Sequence, residues 1–227
     1  MTLIQVWQLL YYWSRDVHSF KEVQHVLRRQ DGSTIGNHTY VDWMNFFRDI
    51  CAQHFISQPV KIGGPGLIVE IDETVFVRRK YNRVRLVRHQ WVFGGVQRGS
   101  PDKCFMVAVD KRNADTLLPI IQEYVLPGTD IISDLWAAYR RIAELPEGYG
   151  HLTVNHSVNF VDPGSGAHTN TIEGSWQKLK QGNKKRFGTH EALFETYLQE
   201  FMWRRKFAGV DAAFTFWSQV AEIYPCE

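Results

Sequence analysis

The stretch Ile68-Val69-Glu70-Ile71-Asp72-Glu73-Thr74-Val75 decides the fold. Its apolar and β-branched residues read as a strand with a buried face, yet it carries three acids. Side chains alternate along a strand, so Glu70 and Asp72 share one face and Glu73 takes the other. Acids are rarely fully buried unless they are paired or hold a metal. Two readings of Asp72 follow. It is a ligand or reactive group, or it makes a buried ion pair with an arginine between Arg78 and Arg88.

Outward from this strand the texture stays regular. Leu67–Arg79, Gln90–Gly99 and Cys104–Lys111 are rich in Val, Ile and Phe and are joined by turn residues, which predicts an antiparallel meander. A helix is expected near Asp115–Val125, a short strand at Asp130–Ser133, a helix at Leu135–Leu145 and a strand at His151–Ser157. A loop through Pro163-Gly164-Ser165-Gly166 leads to a helix from about Asn170 to Gln181. The order β-β-β-α-β-α-β-α is that of an α/β RNase H-like fold, a mixed five-stranded sheet of three antiparallel strands and two parallel additions, flanked by helices. Two further helices are expected at His190–Lys206 and Val210–Ile223.

Upstream, Gln58–Gly66 holds two Pro and three Gly and marks a boundary. Residues 1–58 form an N-terminal helical segment and residues 59–227 the main domain with its C-terminal helices. Ser19 and Glu22 have capping-box spacing, and Tyr40, Met44, Phe47 and Cys51 recur at helical spacing beyond the turn Asp31-Gly32-Ser33. The pair fits a helix-turn-helix or a plain helical brace.

Two more acids stand out. Asp134 closes Ile131-Ile132-Ser133-Asp134, at the strand edge where ligands gather in parallel sheets, although Asp before a helix also serves as an N-cap. Glu173 lies three residues after Asn170, which is the spacing of a cap, and Lys180 returns to nearly the same helical face. Carboxylates are the hard oxygen donors that a two-metal phosphodiester site requires.

Several ordered motifs resemble the ISXO2-like transposase domain, the DDE-type core of the IS1595 group and of the Merlin elements. They are Lys61-Ile62-Gly63-Gly64-Pro65-Gly66, Glu70-Ile71-Asp72-Glu73-Thr74 and Trp91-Val92-Phe93-Gly94-Gly95. Ser133-Asp134-Leu135-Trp136-Ala137-Ala138-Tyr139, Val154-Asn155-His156-Ser157 and His168-Thr169-Asn170-Thr171-Ile172-Glu173 complete the set. The resemblance runs from about residue 58 to 190, and more loosely over both flanks. It implies DNA strand cleavage and transfer at element ends, with two Mg2+ or Mn2+ ions. Asp72, Asp134 and Glu173 would be the catalytic carboxylates and metal ligands. Some relatives carry another residue at the third place, for which Asn170 is the substitute here. The implied partners are DNA, at transposon ends and target, and further copies of the chain, a homodimer or higher oligomer on DNA. The expected location is wherever DNA is: the nucleus, or the bacterial cytoplasm and nucleoid. Fuller members often carry a cysteine-rich zinc ribbon ahead of the core, which this sequence lacks. That leaves a truncated, short or domesticated copy as alternatives, and a non-catalytic DNA-binding protein or a nuclease without strand transfer as rival functions.

Charge agrees with a DNA partner in distribution rather than in total. Net charge is only +2, but no acid occurs between Thr74 and Pro101, where seven basic residues include Arg78, Arg79 and Lys80. Lys178, Lys180, Lys184, Lys185 and Arg186 follow Glu173. Such groups gain affinity by neutralising phosphates, and a solvated basic face is the competing reading. His156 and His168 fit either an accessory role toward phosphate or water or a structural one. Trp136, Tyr139 and Trp176 fit base stacking or, more simply, core packing. Cys51, Cys104 and Cys226 are too dispersed for a disulfide framework or zinc site, which points to a reducing compartment. The apolar run Leu3–Trp13 is too short to span a bilayer and lacks the leader of a secretory signal, so no membrane partner is expected.

Overall fold

In a computed structural model, which describes residues 1–17, 19–28, 31–76, 90–155, 166, 168–186, 189–209 and 211–225, the chain divides into two units. Met1–Gln58 and Phe207–Glu227 make the first, and Pro59–Lys206 the second. The division differs from the expected 59–227 domain, because the closing segment packs with the N-terminal helices.

The first unit is helical. Helix α1 (Leu3–Ser14) starts at a capping box between Thr2 and Gln5, and α2 (Phe20–Val26) is capped by Ser19. Gly32, at φ +81°, makes the turn before α3 (Asn37–Ser57). Tyr40, Met44, Phe47 and Cys51 line the buried face of α3, as their spacing predicts. Trp13 of α1, Phe47 of α3 and Phe216 of the closing helix Ala212–Ile223 form an aromatic trio, with ring centroids 5.0 to 5.4 Å apart. Such rings dominate the energetics of a small core, so Phe216 binds the end of the chain to its beginning.

The second unit is built on a sheet. Its strands are β1 (Ile62–Gly63), β2 (Ile68–Val75), β3 (Trp91–Gln97), β4 (Ser100–Val109), β5 (Val125–Leu126), β6 (Asp130–Asp134) and β7 (Gly150–Val154). Five of them order as β4-β3-β2-β6-β7. Both β2–β3 and β3–β4 are antiparallel, while β2–β6 and β6–β7 are parallel. Flanked by helices, this is the mixed RNase H-like sheet that the element order predicts. The short strands β1 and β5 pair separately.

Helix α4 (Ala114–Tyr124) bridges β4 to β5, and α5 (Asn170–Lys185) and α6 (Phe194–Lys206) follow β7. Alternation along β2 sorts its two faces. Glu70, Asp72 and Thr74 meet α5, and Glu73 meets Tyr139. The helix expected at Leu135–Leu145 is instead two 3-10 turns, Ala137–Tyr139 and Ile142–Glu144. The buried residues Ala138, Tyr139 and Ile142 have three- and four-residue spacings that suit either helix type, while Leu135 and Trp136 stay exposed, so nothing apolar drives a longer helix. Helix α7 (Ala212–Ile223) is the closing helix of the first unit.

Candidate functional site

Strand register sets the first two acids side by side. Val69 pairs with Ile131 and Glu70 with Ile132. Carried two residues on, that parallel register brings Asp72 of β2 level with Asp134, the last residue of β6. The third acid comes from α5, which lies along β2 and places Glu173 in its first turn. Both Asp134 and Glu173 lie near enough to act electrostatically on Asp72.

Each of the three has one oxygen held by a donor. The Trp176 indole Nε1 donates to Asp72 Oδ2 at 2.9 Å. The Trp136 backbone N–H donates to Asp134 Oδ1 at 2.8 Å, the short-range cap that an Asp in this place commonly makes. The Thr169 hydroxyl donates to Glu173 Oε1 at 3.0 Å. A carboxylate oriented in this way presents its remaining lone pairs in a fixed direction, which is how metal ligands are usually supported.

Burial and like charge govern the electrostatics. Burial pushes Asp72 up to about 6 against the opposing Trp176 hydrogen bond, and Asp134 and Glu173 push the same way. Burial likewise raises Glu73 to about 7, with Asp72 and Asp134 adding and Tyr139 and Arg112 opposing. Tyr139 is held well above the ordinary phenol range by burial and by Glu73. The two face each other without closing a hydrogen bond of ordinary geometry, since Glu73 Oε1 and Tyr139 Oη are both buried without a partner among the described residues. Crowded carboxylates whose ionised forms are disfavoured are what a divalent cation relieves. The donor set therefore fits a hard cation. Among the described residues no three His, Cys, Asp or Glu side chains close around a single ion.

A buried ion pair is present on this strand, but it joins Glu70 to Arg98; the arginines at 78–88 expected as partners of Asp72 lie outside the described residues. Arg98 Nε stands 3.0 Å from Glu70 Oε1. His168 faces the same carboxylate, with Nδ1 3.4 Å from Oε1. Asn170, the substitute for the third acid, is exposed at the first position of α5. Lys178, Lys180, Lys184 and Lys185 project from α5 with exposed side chains; Lys180 reaches Thr74, and Arg186 lies over the Tyr197 ring at 4.2 Å. Arg78, Arg79, Lys80 and His156 lie outside the described residues. Among the aromatic candidates, Tyr139 and Trp176 are core, and Trp136 is 41% exposed with the Arg112 guanidinium 4.8 Å over its ring.

Sequence reasoning missed the part Trp176 plays. The signal was in the Gly94-Gly95 pair. Gly94 pairs with Asp72, and a Cβ there would stand 2.6 Å from Trp176 Cη2 and 2.8 Å from the Phe105 carbonyl oxygen. A residue without a side chain is needed for the indole to settle over β3 and reach the acid.

Comparison with known proteins places this geometry in context. The family model for the ISXO2-like transposase domain matches residues 63–206. A protein of Haemophilus influenzae (strain ATCC 51907 / DSM 11121 / KW20 / Rd), described as an uncharacterized transposase-like protein, is 32% identical over 102 residues, which cover 45% of this chain and 80% of that protein.

Proposed function

This chain belongs to the ISXO2-like transposase family, and from that membership we propose that it cuts DNA at element ends and joins the freed strand to a target. What supports the proposal is that the β2–β6 register sets Asp134 level with Asp72 and that Asp134 and Glu173, from a parallel strand and a helix, both act electrostatically on Asp72. Asp72, Asp134 and Glu173 would hold Mg2+ or Mn2+. Two such ions supply a lowered pKa for the attacking hydroxyl and charge stabilisation for the leaving oxygen. The residues of the chain supply orientation. Trp176, the Trp136 N–H and the Thr169 hydroxyl each fix one oxygen of one acid, so the group is set before DNA arrives. Lys178, Lys184 and Lys185 lie on the helix that carries Glu173, and DNA phosphates bound there would approach the acids.

The deciding experiment incubates the protein with paired element ends, target DNA and magnesium, and resolves the products on a gel. Cleaved ends joined to target support strand transfer. Cleaved ends that are never joined identify a nuclease without transfer. Binding without cleavage identifies a domesticated DNA-binding protein. Further copies of the chain are the expected partners on paired ends, so sedimentation with and without end DNA is the companion measurement.

A further inference from the structure

Glu70 is completely buried, and every described group that donates a hydrogen bond to it comes from one of two places. Arg98, just beyond β3, donates its Nε to Oε1 at 3.0 Å. The rest belong to the start of α5. The Thr171 hydroxyl donates to Oε1 at 2.8 Å, the Thr171 N–H to Oε2 at 2.8 Å and the Ile172 N–H to Oε2 at 3.2 Å. The first turn of a helix leaves backbone N–H groups without intrahelical partners, and the residue before it normally satisfies them. Here the Thr169 side chain makes no such bond, and its hydroxyl donates to Glu173. The cap comes instead from a strand 101 residues earlier in the chain. Arg98 also donates to the His168 carbonyl at 2.9 Å, so the segment entering the helix is tied to the same carboxylate.

This cap is the first of three matched contacts. Glu70, Asp72 and Thr74 are alternate residues of β2, and Ile172, Trp176 and Lys180 are every fourth residue of α5. Two strand residues rise about 6.6–6.8 Å and four helix residues about 6 Å, so the two ladders stay in step for three rungs. The lower two rungs rest on a tryptophan and a lysine, side chains with several rotamers. The Glu70 rung is made to backbone and fixes the helix itself.

We propose that Glu70 is a positioning residue that sets the register of α5 against β2 and thereby places the Glu173 carboxylate relative to Asp72. This rests on the reading of Glu173 as a metal ligand. It also separates the acids of the strand by role: Glu70, with both oxygens taken by the chain, anchors the helix, and Asp72 faces the reaction.

The test uses Glu70→Gln, which keeps the shape but turns an amide nitrogen toward groups that already donate. Two readouts are needed. In metal-free protein, amide hydrogen exchange at Thr171 and Ile172 should accelerate while the β2 and β3 amides stay protected. Mn2+ binding, followed by electron paramagnetic resonance, should weaken by about tenfold or more, the usual effect of losing a group that orients a ligand. Glu173→Gln should weaken Mn2+ as well, and the double variant should bind no more weakly than the worse single one. Thr171→Val, which removes one of the four bonds, gives a smaller change in the same direction and serves if Glu70→Gln does not fold. Unchanged exchange at Thr171 and Ile172 in a folded variant overturns the proposal, as do additive losses in the double variant. If Glu173→Gln alone leaves Mn2+ binding intact, the ligand reading fails first and the proposal falls with it, whatever the exchange shows.

Discussion

Asp72 sits where two demands conflict. Its strand position buries it, and its neighbours are acids. No arginine among the described residues pairs with it, so Asp72→Asn leaves no such cation orphaned, and the amide oxygen can still accept from Trp176. The expected outcome is a metal-free melting temperature that is unchanged or higher, magnesium-dependent cleavage lost, and DNA binding kept. A large fall in metal-free melting temperature would count against the role given to this residue. The same crowding fixes the sign of a pH effect. Asp72 rises from 3.8 to about 6 and Glu73 from 4.5 to about 7, so the folded state holds these protons more tightly than the unfolded chain does. The stability they contribute is complete below about pH 4 and lost as pH rises through 6 to 7. Metal-free thermal melts of the native protein and Asp72→Asn across this range should differ most at high pH, with the variant the more stable. A difference that stays flat with pH would refute the account. Asp72 was legible as unusual because an acid interrupts an apolar strand. Its donor was not, since Trp176 is 104 residues away and nothing local ties the two.

Elements were legible where periodicity was strong. Strands β2, β3 and β4 follow the apolar runs that predict them, and α5 shows its buried face at Ile172, Trp176 and Leu179. The segment after Asp134 was not, because spacings of three and four suit both helix types. Nor was the reason for two consecutive glycines in a central strand, which lies in what crosses them. Gly94→Ala tests that reason directly. The new methyl group would meet the Trp176 ring and the Phe105 carbonyl, and the carbonyl has no rotamer by which to yield. Overpacking of this kind costs about 1–3 kcal/mol. Denaturant unfolding should show that loss, and cleavage should fall further than stability, because the displaced indole releases Asp72. Full activity in a stable Gly94→Ala protein would mean that Trp176 does not orient the acid.

At the scale of the whole molecule, charge is a matter of placement. A net charge of +2 hides the exposed lysines that α5 carries beyond Glu173. Replacing Lys184 and Lys185 by glutamate should weaken binding to all duplex sequences alike and reduce the log–log salt slope by about 0.9 for each phosphate no longer neutralised. An unchanged slope would make this run a solvated surface. The assignment of the chain after Lys206 was not legible in sequence, because an amphipathic helix does not say which apolar surface will cover it. In the structure Phe216 lies between Trp13 and Phe47. Removing residues 207–227 should therefore cost more helical circular dichroism than α7 accounts for, because α1 and α3 lose a wall of their core. A loss equal to α7 alone would show that the N-terminal helices stand without it.

That shared core has a consequence in time. Synthesis runs from the amino end at about 5–20 residues per second, and domains generally fold as they emerge. Leu9, Leu10, Trp13 and Phe47 are made early, and Phe216 comes only after the entire sheet unit has been translated. At those speeds the delay is roughly ten to thirty seconds. Throughout it the nascent helices lack the Phe216 ring that later covers Trp13 and Phe47, which is the interval in which a chaperone or a neighbouring nascent chain would meet them. The helices made before the sheet unit are thus completed only after it.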